Sequence, residues 1–147
     1  LGWSYPCDIW SVGCILIEFF TGSALFQTHD NLEHLAMMER VIGPIPNHLR
    51  VHNEDTKDIF LPNGDLNYPN DKTTTDSKKY VKSMKPLNKI IPPTNKFYEL
   101  FLDLVQKLLI YDPVRRITAR EAKLHEFFKY DPDEENKTAN NTPTDIS

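Results

Sequence analysis

The sequence predicts a mainly α fold with one small β-hairpin, on three observations. A nearly all-apolar segment at 6–21 carries helix start and stop chemistry at its two ends. Two further segments, 31–42 and 95–110, place apolar residues at helical spacing. A lone Pro62-Asn63-Gly64-Asp65 turn sits between two short apolar pieces, 58–61 and 66–68. The chain has 147 residues, 39% apolar and 26% charged, which suits one globular domain or a large piece of one.

In the first element, Ser4 is positioned to cap, Pro6 fits the first turn and Gly22 fits the stop. Ile9, Trp10, Val12, Ile15, Leu16, Ile17, Phe19 and Phe20 make it apolar nearly all round. Such a helix is expected at the centre of the fold, as its most buried element. The second helix opens on Asp30 and Glu33, a D-x-x-E variant of the capping box, and stops at Gly43-Pro44. Its Leu35 and Met38 are expected to turn inward. From 44 to 93 seven prolines break the pattern, so an insertion wrapped over the core is expected, with a hairpin and a weak helix at 78–84. The third long helix, 95–110, ends at Asp112-Pro113. Thr118-x-x-Glu121 is a capping box that opens a short helix to about Leu124, with Phe127 and Phe128 as a hydrophobic lid.

Charge is unevenly placed. The sum is −4 with a pI of about 5.7, which argues against bulk binding to nucleic acid or anionic membrane. Residues 131–147 hold five acids and one base, and that tail is expected to be disordered. Residues 54–71 hold five acids and one base, and residues 72–96 seven lysines and one acid. Such a pair of stretches is either a solvated loop or a docking surface for a charged partner. Asp8, Glu18, Glu39 and Asp103 interrupt every greasy stretch, so no membrane span is expected. The sequence starts at Leu1 without a signal-peptide pattern, so a start inside a longer protein is expected. On one helix, Cys7 and Cys14 would stand ~10 Å apart, beyond disulfide reach, and read as small apolar residues. His48 and His52 are four apart but have no third ligand nearby, so no metal site is expected.

No reaction centre is visible from residue chemistry alone. The five glycines are scattered at 2, 13, 22, 43 and 64, without a phosphate-binding loop. Neither G-x-S-x-G nor H-E-x-x-H occurs. Asp8 at the start of an apolar helix reads as a first-turn acid serving free N–H groups, or as an anchor for another backbone segment. Arg116, between two helices, is solvated unless a buried carboxylate waits for it.

Three motifs carry a resemblance. CDIWSVGCILIEFFTG at 7–22 resembles the D-x-W-S-x-G helix of the C-terminal lobe of eukaryotic protein kinases, and DPVRRITAREAKLHEFF at 112–128 resembles their closing block. EHLAMMERVIGPIP at 33–46 resembles the signature of the LAMMER (Cdc-like) dual-specificity kinases of the CMGC group. In that signature stand Glu33, His34, Leu35, Ala36, Met37, Met38, Glu39 and Arg40.

The resemblance implies a partial kinase C-terminal lobe over residues 1–129, with a CMGC-type insertion at 47–93 and the acidic tail at 130–147. It implies that Asp8 holds the catalytic loop's backbone, and that Trp10 and Gly13 pack their helix against its neighbours. Arg116 would pair with the Glu of the A-P-E motif. With that partner before Leu1, Arg116 is expected to be unpaired or solvent-facing in this chain. The phosphate-covering loop, the strand lysine, H-R-D, D-F-G and A-P-E do not occur in the sequence. Catalytic, cofactor-binding and metal-binding residues are therefore expected to be none here. ATP and Mg2+ belong to the full-length kinase. The implied partners are the rest of the kinase domain (N-terminal lobe, catalytic and activation loops) and protein substrates, with Arg/Ser-rich splicing factors as the class. Direct nucleic-acid and membrane partners are not expected. The implied location is nuclear, with the cytoplasm second. The alternative is a truncated, inactive lobe that acts as a binding module.

Overall fold

The computed structural model describes residues 6–133. The Ser4 cap and residues 134–147 of the acidic tail lie outside the described residues. Among the described residues six α-helices follow in order: α1 (Pro6–Thr21), α2 (Asn31–Ile42), α3 (Thr75–Ser83), α4 (Leu87–Ile90), α5 (Lys96–Leu108) and α6 (Ala119–Lys123). Single 3-10 turns stand at Asn47–Leu49 and Glu126–Phe128. A polypeptide this rich in caps forms its helices locally: Asp30, Thr74, Asn95 and Thr118 each accept a backbone N–H of the first turn that follows. Thr118 and Glu121 complete the reciprocal box, the Glu121 carboxylate accepting the Thr118 N–H at 2.8 Å.

The expected hairpin narrows to a turn. Among the described residues, one antiparallel bridge, Phe60 with Leu66, is all the β pairing there is. Leu61 N–H donates to Asp65 O and Asn67 N–H to Ile59 O, each at 2.8 Å. Gly64, at φ +85°, closes the turn in a conformation that a side chain would strain. The turn chemistry is right, but Pro62 and Pro69 bound the short arms, and no third strand covers them. The insertion is also more ordered than its prolines suggest. It carries α3 and α4, and Leu87 and Ile91 plug it into the main core.

That core is centred on α5, whose Phe101, Leu102, Leu104, Val105 and Leu108 are buried. α1 packs on it through Ile17 and Gly13. A Cβ at Gly13 would stand 2.8 Å from Leu109 Cδ2 and 3.1 Å from Leu108 Cβ, so any side chain there forces Leu109 to shift. The expectation that α1 is the most buried element fails. Val12 and Ile15 are each 44% exposed and Phe19 is 82% exposed. A helix apolar all round is buried only where something covers it, and the described chain covers one side of α1.

α2 differs from expectation by a rotation. Ala36, Met37 and Val41 are buried, and Ala36 and Met37 form a second cluster with Val81 of α3. Leu35 and Met38 are half-buried, not inward. Each residue turns a helix by about 100°, so with Met37 seated on α3, Met38 lies about 100° and Leu35 about 160° around the helix from it.

Acid sensitivity follows from the turns around α6. The Val114 N–H and the His48 ring hold the Asp112 carboxyl below its ordinary 3.8. The Thr118 N–H and hydroxyl hold Glu121 below 4.5. A carboxylate depressed on folding stabilises fully above its unfolded value, and that share is lost as pH falls through the folded one. The melting temperature is expected to fall progressively below about pH 4.5. Glu121→Gln should lower it at neutral pH and flatten part of that acid limb. An acid limb unchanged by Glu121→Gln would contradict the assignment.

Candidate functional site

The first motif-bearing feature is a corner where α1 meets the loop after α5. The Trp10 ring lies 5.8 Å from Tyr111, and the Arg116 guanidinium sits 5.2 Å over the Trp10 ring centre. Arg116 Nε donates to Ile110 O at 2.8 Å and Nη2 to Tyr111 O at 3.0 Å. These carbonyls follow the last turn of α5, where donors are needed. Burial pulls the Arg116 pKa down from its ordinary value. Expected to be unpaired or solvent-facing, Arg116 is half-buried instead, engaged by a helix end and an indole face. Asp8 stands exposed in the first turn of α1.

The second feature is α2 itself. Asp30 Oδ1 accepts the Glu33 N–H at 2.7 Å, and the Glu33 carboxylate accepts the Thr28 hydroxyl. His34 lies 5.3 Å from the Phe26 ring, and burial lowers its pKa. Glu39 faces the chain that leaves the helix: its Oε1 accepts Ile45 N–H at 3.0 Å and Arg50 Nη2 at 3.1 Å. Arg50 Nε donates back to Ile45 O at 2.5 Å. Tyr111 Oη donates to Gly43 O at 2.9 Å, and burial pushes the phenol pKa far up. The signature's glutamate therefore pins the Gly-Pro-x-Pro exit and the start of the insertion. Sequence reading missed Arg50 and Tyr111. The missing signal was the set of backbone groups that an exit with two prolines leaves to be satisfied by side chains. Arg40 is exposed and donates from Nη2 to Lys82 O at 3.3 Å.

A third cluster was also missed. His125 is buried, its Nε2 is 2.7 Å from Asp103 Oδ2, and its Nδ1 accepts the Phe127 N–H at 3.1 Å. That pattern assigns the ring proton to Nε2, which donates to the carboxylate. Lys107 Nζ reaches the same Asp103 oxygen at 2.6 Å. Partial burial raises the Asp103 pKa, but the hydrogen bonds from Lys107 and His125 outweigh it and hold it below the ordinary value. The buried aromatic-flanked histidine locks the closing segment onto α5.

The remaining titratable groups stay dispersed. His48 meets Asp112 at 3.1 Å, while His52 Nδ1 meets Phe60 O at 2.5 Å, so the two histidines face different partners. Cys7 and Cys14 are free, half-buried thiols, and burial pushes Cys14 up to about 11. Among the described residues no group of three or more His, Cys, Asp or Glu is arranged to hold a metal ion. A cleft of about 950 Å3 separates the start of α2 from the insertion, with Asp30, Glu33, Asp58 and Asp71 against Lys72 and His29 on its walls.

Comparison with known proteins fits these features. The family model described as "Protein kinase domain" matches residues 2–128. Dual specificity protein kinase lkh1 of Schizosaccharomyces pombe is 47% identical over 129 residues, 87% of this chain and 19% of that protein. Serine/threonine-protein kinase AFC2 of Arabidopsis thaliana is 50% identical over 129 residues, 87% of this chain and 30% of that protein. Dual specificity protein kinase CLK1 of Homo sapiens is 44% identical over 128 residues, 87% of this chain and 26% of that protein. The chain spans between 19% and 30% of the length of these three relatives. A crystal structure of a kinase domain superposes with a TM-score of 0.77 at 39% identity, covering 86% of this chain and 36% of that one.

Proposed function

The chain belongs to the protein kinase domain family, in its LAMMER (Cdc-like) branch, and from that premise we propose that it is the later part of the C-terminal lobe of a dual-specificity kinase. The whole enzyme transfers the γ-phosphate of ATP to serine, threonine and tyrosine hydroxyls of proteins. Arg/Ser-rich splicing factors are the substrate class, and the nucleus is the place of action. The observation that carries the reading is the bare side of α1, where Val12, Ile15 and Phe19 stand in water. An apolar row of this kind belongs against other protein. In this reading the cover is the rest of the kinase domain, its N-terminal lobe and its catalytic and activation loops. Asp8 then holds the catalytic loop's backbone, and Arg116 meets the glutamate of A-P-E.

The residues present do not fit ATP–magnesium. Phosphoryl transfer needs backbone N–H groups and a lysine on the phosphates, with Asp and Asn side chains on the metal. The described residues supply no metal-holding group, and the cleft of about 950 Å3 is lined by four carboxylates, which would repel a triphosphate. No step of the transfer is therefore assigned to these residues. The exposed Glu54, Asp55 and Asp58 offer basic substrates a weak, salt-screened surface.

Calorimetry of the chain with ATP–magnesium, beside transfer to an Arg/Ser-rich peptide, tests the proposal. No binding heat and no turnover are expected from the chain, and ready turnover from the whole kinase that contains it. Turnover by the chain alone overturns its status as a part. A whole kinase that stays inactive overturns the catalytic reading in favour of a binding module.

A further inference from the structure

We infer that the edge formed by Arg40 of α2 and Lys78, Lys82 and Lys85 at α3 docks phosphorylated segments of proteins. At about 100° per residue, Lys78, Lys79 and Lys82 fall within a sector of about 100° on α3, and the buried Val81 lies outside that sector, about 60° beyond Lys78. Lys85 stands one residue past the Met84 cap of the helix. Arg40 reaches the same end of α3 from the neighbouring helix, through its 3.3 Å hydrogen bond to Lys82 O. One of the five guanidinium donors is committed by that bond. All five of these cationic side chains are exposed.

Among the described residues, these five cations stand together on one edge without a carboxylate at ion-pair distance. Lys57, Lys96, Lys107 and Lys129 each have a carboxylate within ion-pair distance. Among the described residues no carboxylate stands at that distance from Arg40, Lys78, Lys79, Lys82 or Lys85. Of the insertion's acids, Asp58 and Asp71 line the cleft, and Asp76 stands in the first turn of α3, at the end away from Lys82 and Lys85. An unneutralised Arg with flanking lysines suits a phosphate dianion, which takes the planar fork and the point charges together.

Two other polyanions suit it less. Base stacking of single-stranded nucleic acid needs an aromatic ring within the patch. The exposed Tyr80 lies about 160° around α3 from Lys82. A membrane surface needs an apolar edge to insert beside the cations, and Lys78, Lys79 and Lys82 hold that sector of α3. The inference rests on the kinase reading, since a kinase makes phosphorylated segments beside its own lobe.

The test is fluorescence anisotropy of the 147-residue chain, without nucleotide, against a neutral-flanked peptide carrying three phosphoserines. Binding that weakens with salt is expected, together with a roughly tenfold loss in Arg40→Ala/Lys82→Ala/Lys85→Ala, several weak surface pairs being removed at once. The unphosphorylated peptide should not bind. A second measurement needs no variant: the phosphopeptide should protect Lys78, Lys82 and Lys85 of the unaltered chain from acetylation, read by mass spectrometry. Equal binding of both peptides, unprotected lysines, or tighter binding of single-stranded RNA or phosphatidylserine vesicles overturns the proposal. Transfer by the whole kinase is assayed separately, so a positive transfer with no phosphopeptide binding rejects this docking site and leaves the kinase reading standing.

Discussion

Met37→Ala should destabilise the chain by about 2–5 kcal/mol, the range for truncating a fully buried large side chain. Met37 has no exposed surface and lies in one cluster with Ala36 and Val81. Its removal leaves a void between α2 and α3 that neither short helix can close, because Val81 is the buried side chain of α3. Urea unfolding gives the size of the effect. Hydrogen exchange gives its place: the amides of α3 should lose protection before those of α5. Leu35→Ala and Met38→Ala, at half-buried positions, should each cost less than Met37→Ala. The reverse order would mean that the rotation of α2 described above is wrong.

Gly13→Leu is the second large effect, with an expected loss of about 3 kcal/mol at the upper end of the usual overpacking range. A methyl group fits there only if the end of the Leu109 side chain gives way, since Leu109 Cδ2 would stand 2.8 Å from a Cβ. Leu109 is itself fully buried, so its side chain can yield by a small shift but not by the width of a leucine. Gly13→Ala should be much milder. It gains roughly 1 kcal/mol of helix propensity, which offsets a small shift of Leu109. The pair of variants, compared by denaturant midpoint, separates crowding from propensity. A leucine tolerated as well as the alanine would show that α1 and α5 are not in close contact.

What was legible in the sequence was local. The span of α1 and the caps Asp30 and Thr118 rest on residues within a few positions of one another, and they stand where the pattern puts them. The kinase motifs were legible because each is a short string. Burial was not, because it depends on what comes to lie against a surface. α1 has the composition of a central helix and yet shows Phe19 to water. The joints at Glu39 and Gly43 escaped notice for a related reason. Arg50 is 11 residues from Glu39, and Tyr111 is 68 from Gly43, and nothing in their neighbourhoods announces a partner. For Arg116 only a carboxylate suggests itself from the sequence, yet helix-end carbonyls and an indole are in reach.

The bare row of Val12, Ile15 and Phe19 has a colloidal consequence. A chain with a formal charge of only −4 has little electrostatic repulsion to keep such rows apart. Adhesion between copies, rather than unfolding, then sets the highest concentration at which the chain stays dispersed. Cooling weakens that adhesion, because its driving force is hydrophobic, so clarity on chilling and haze on warming become the handling signature of the free chain.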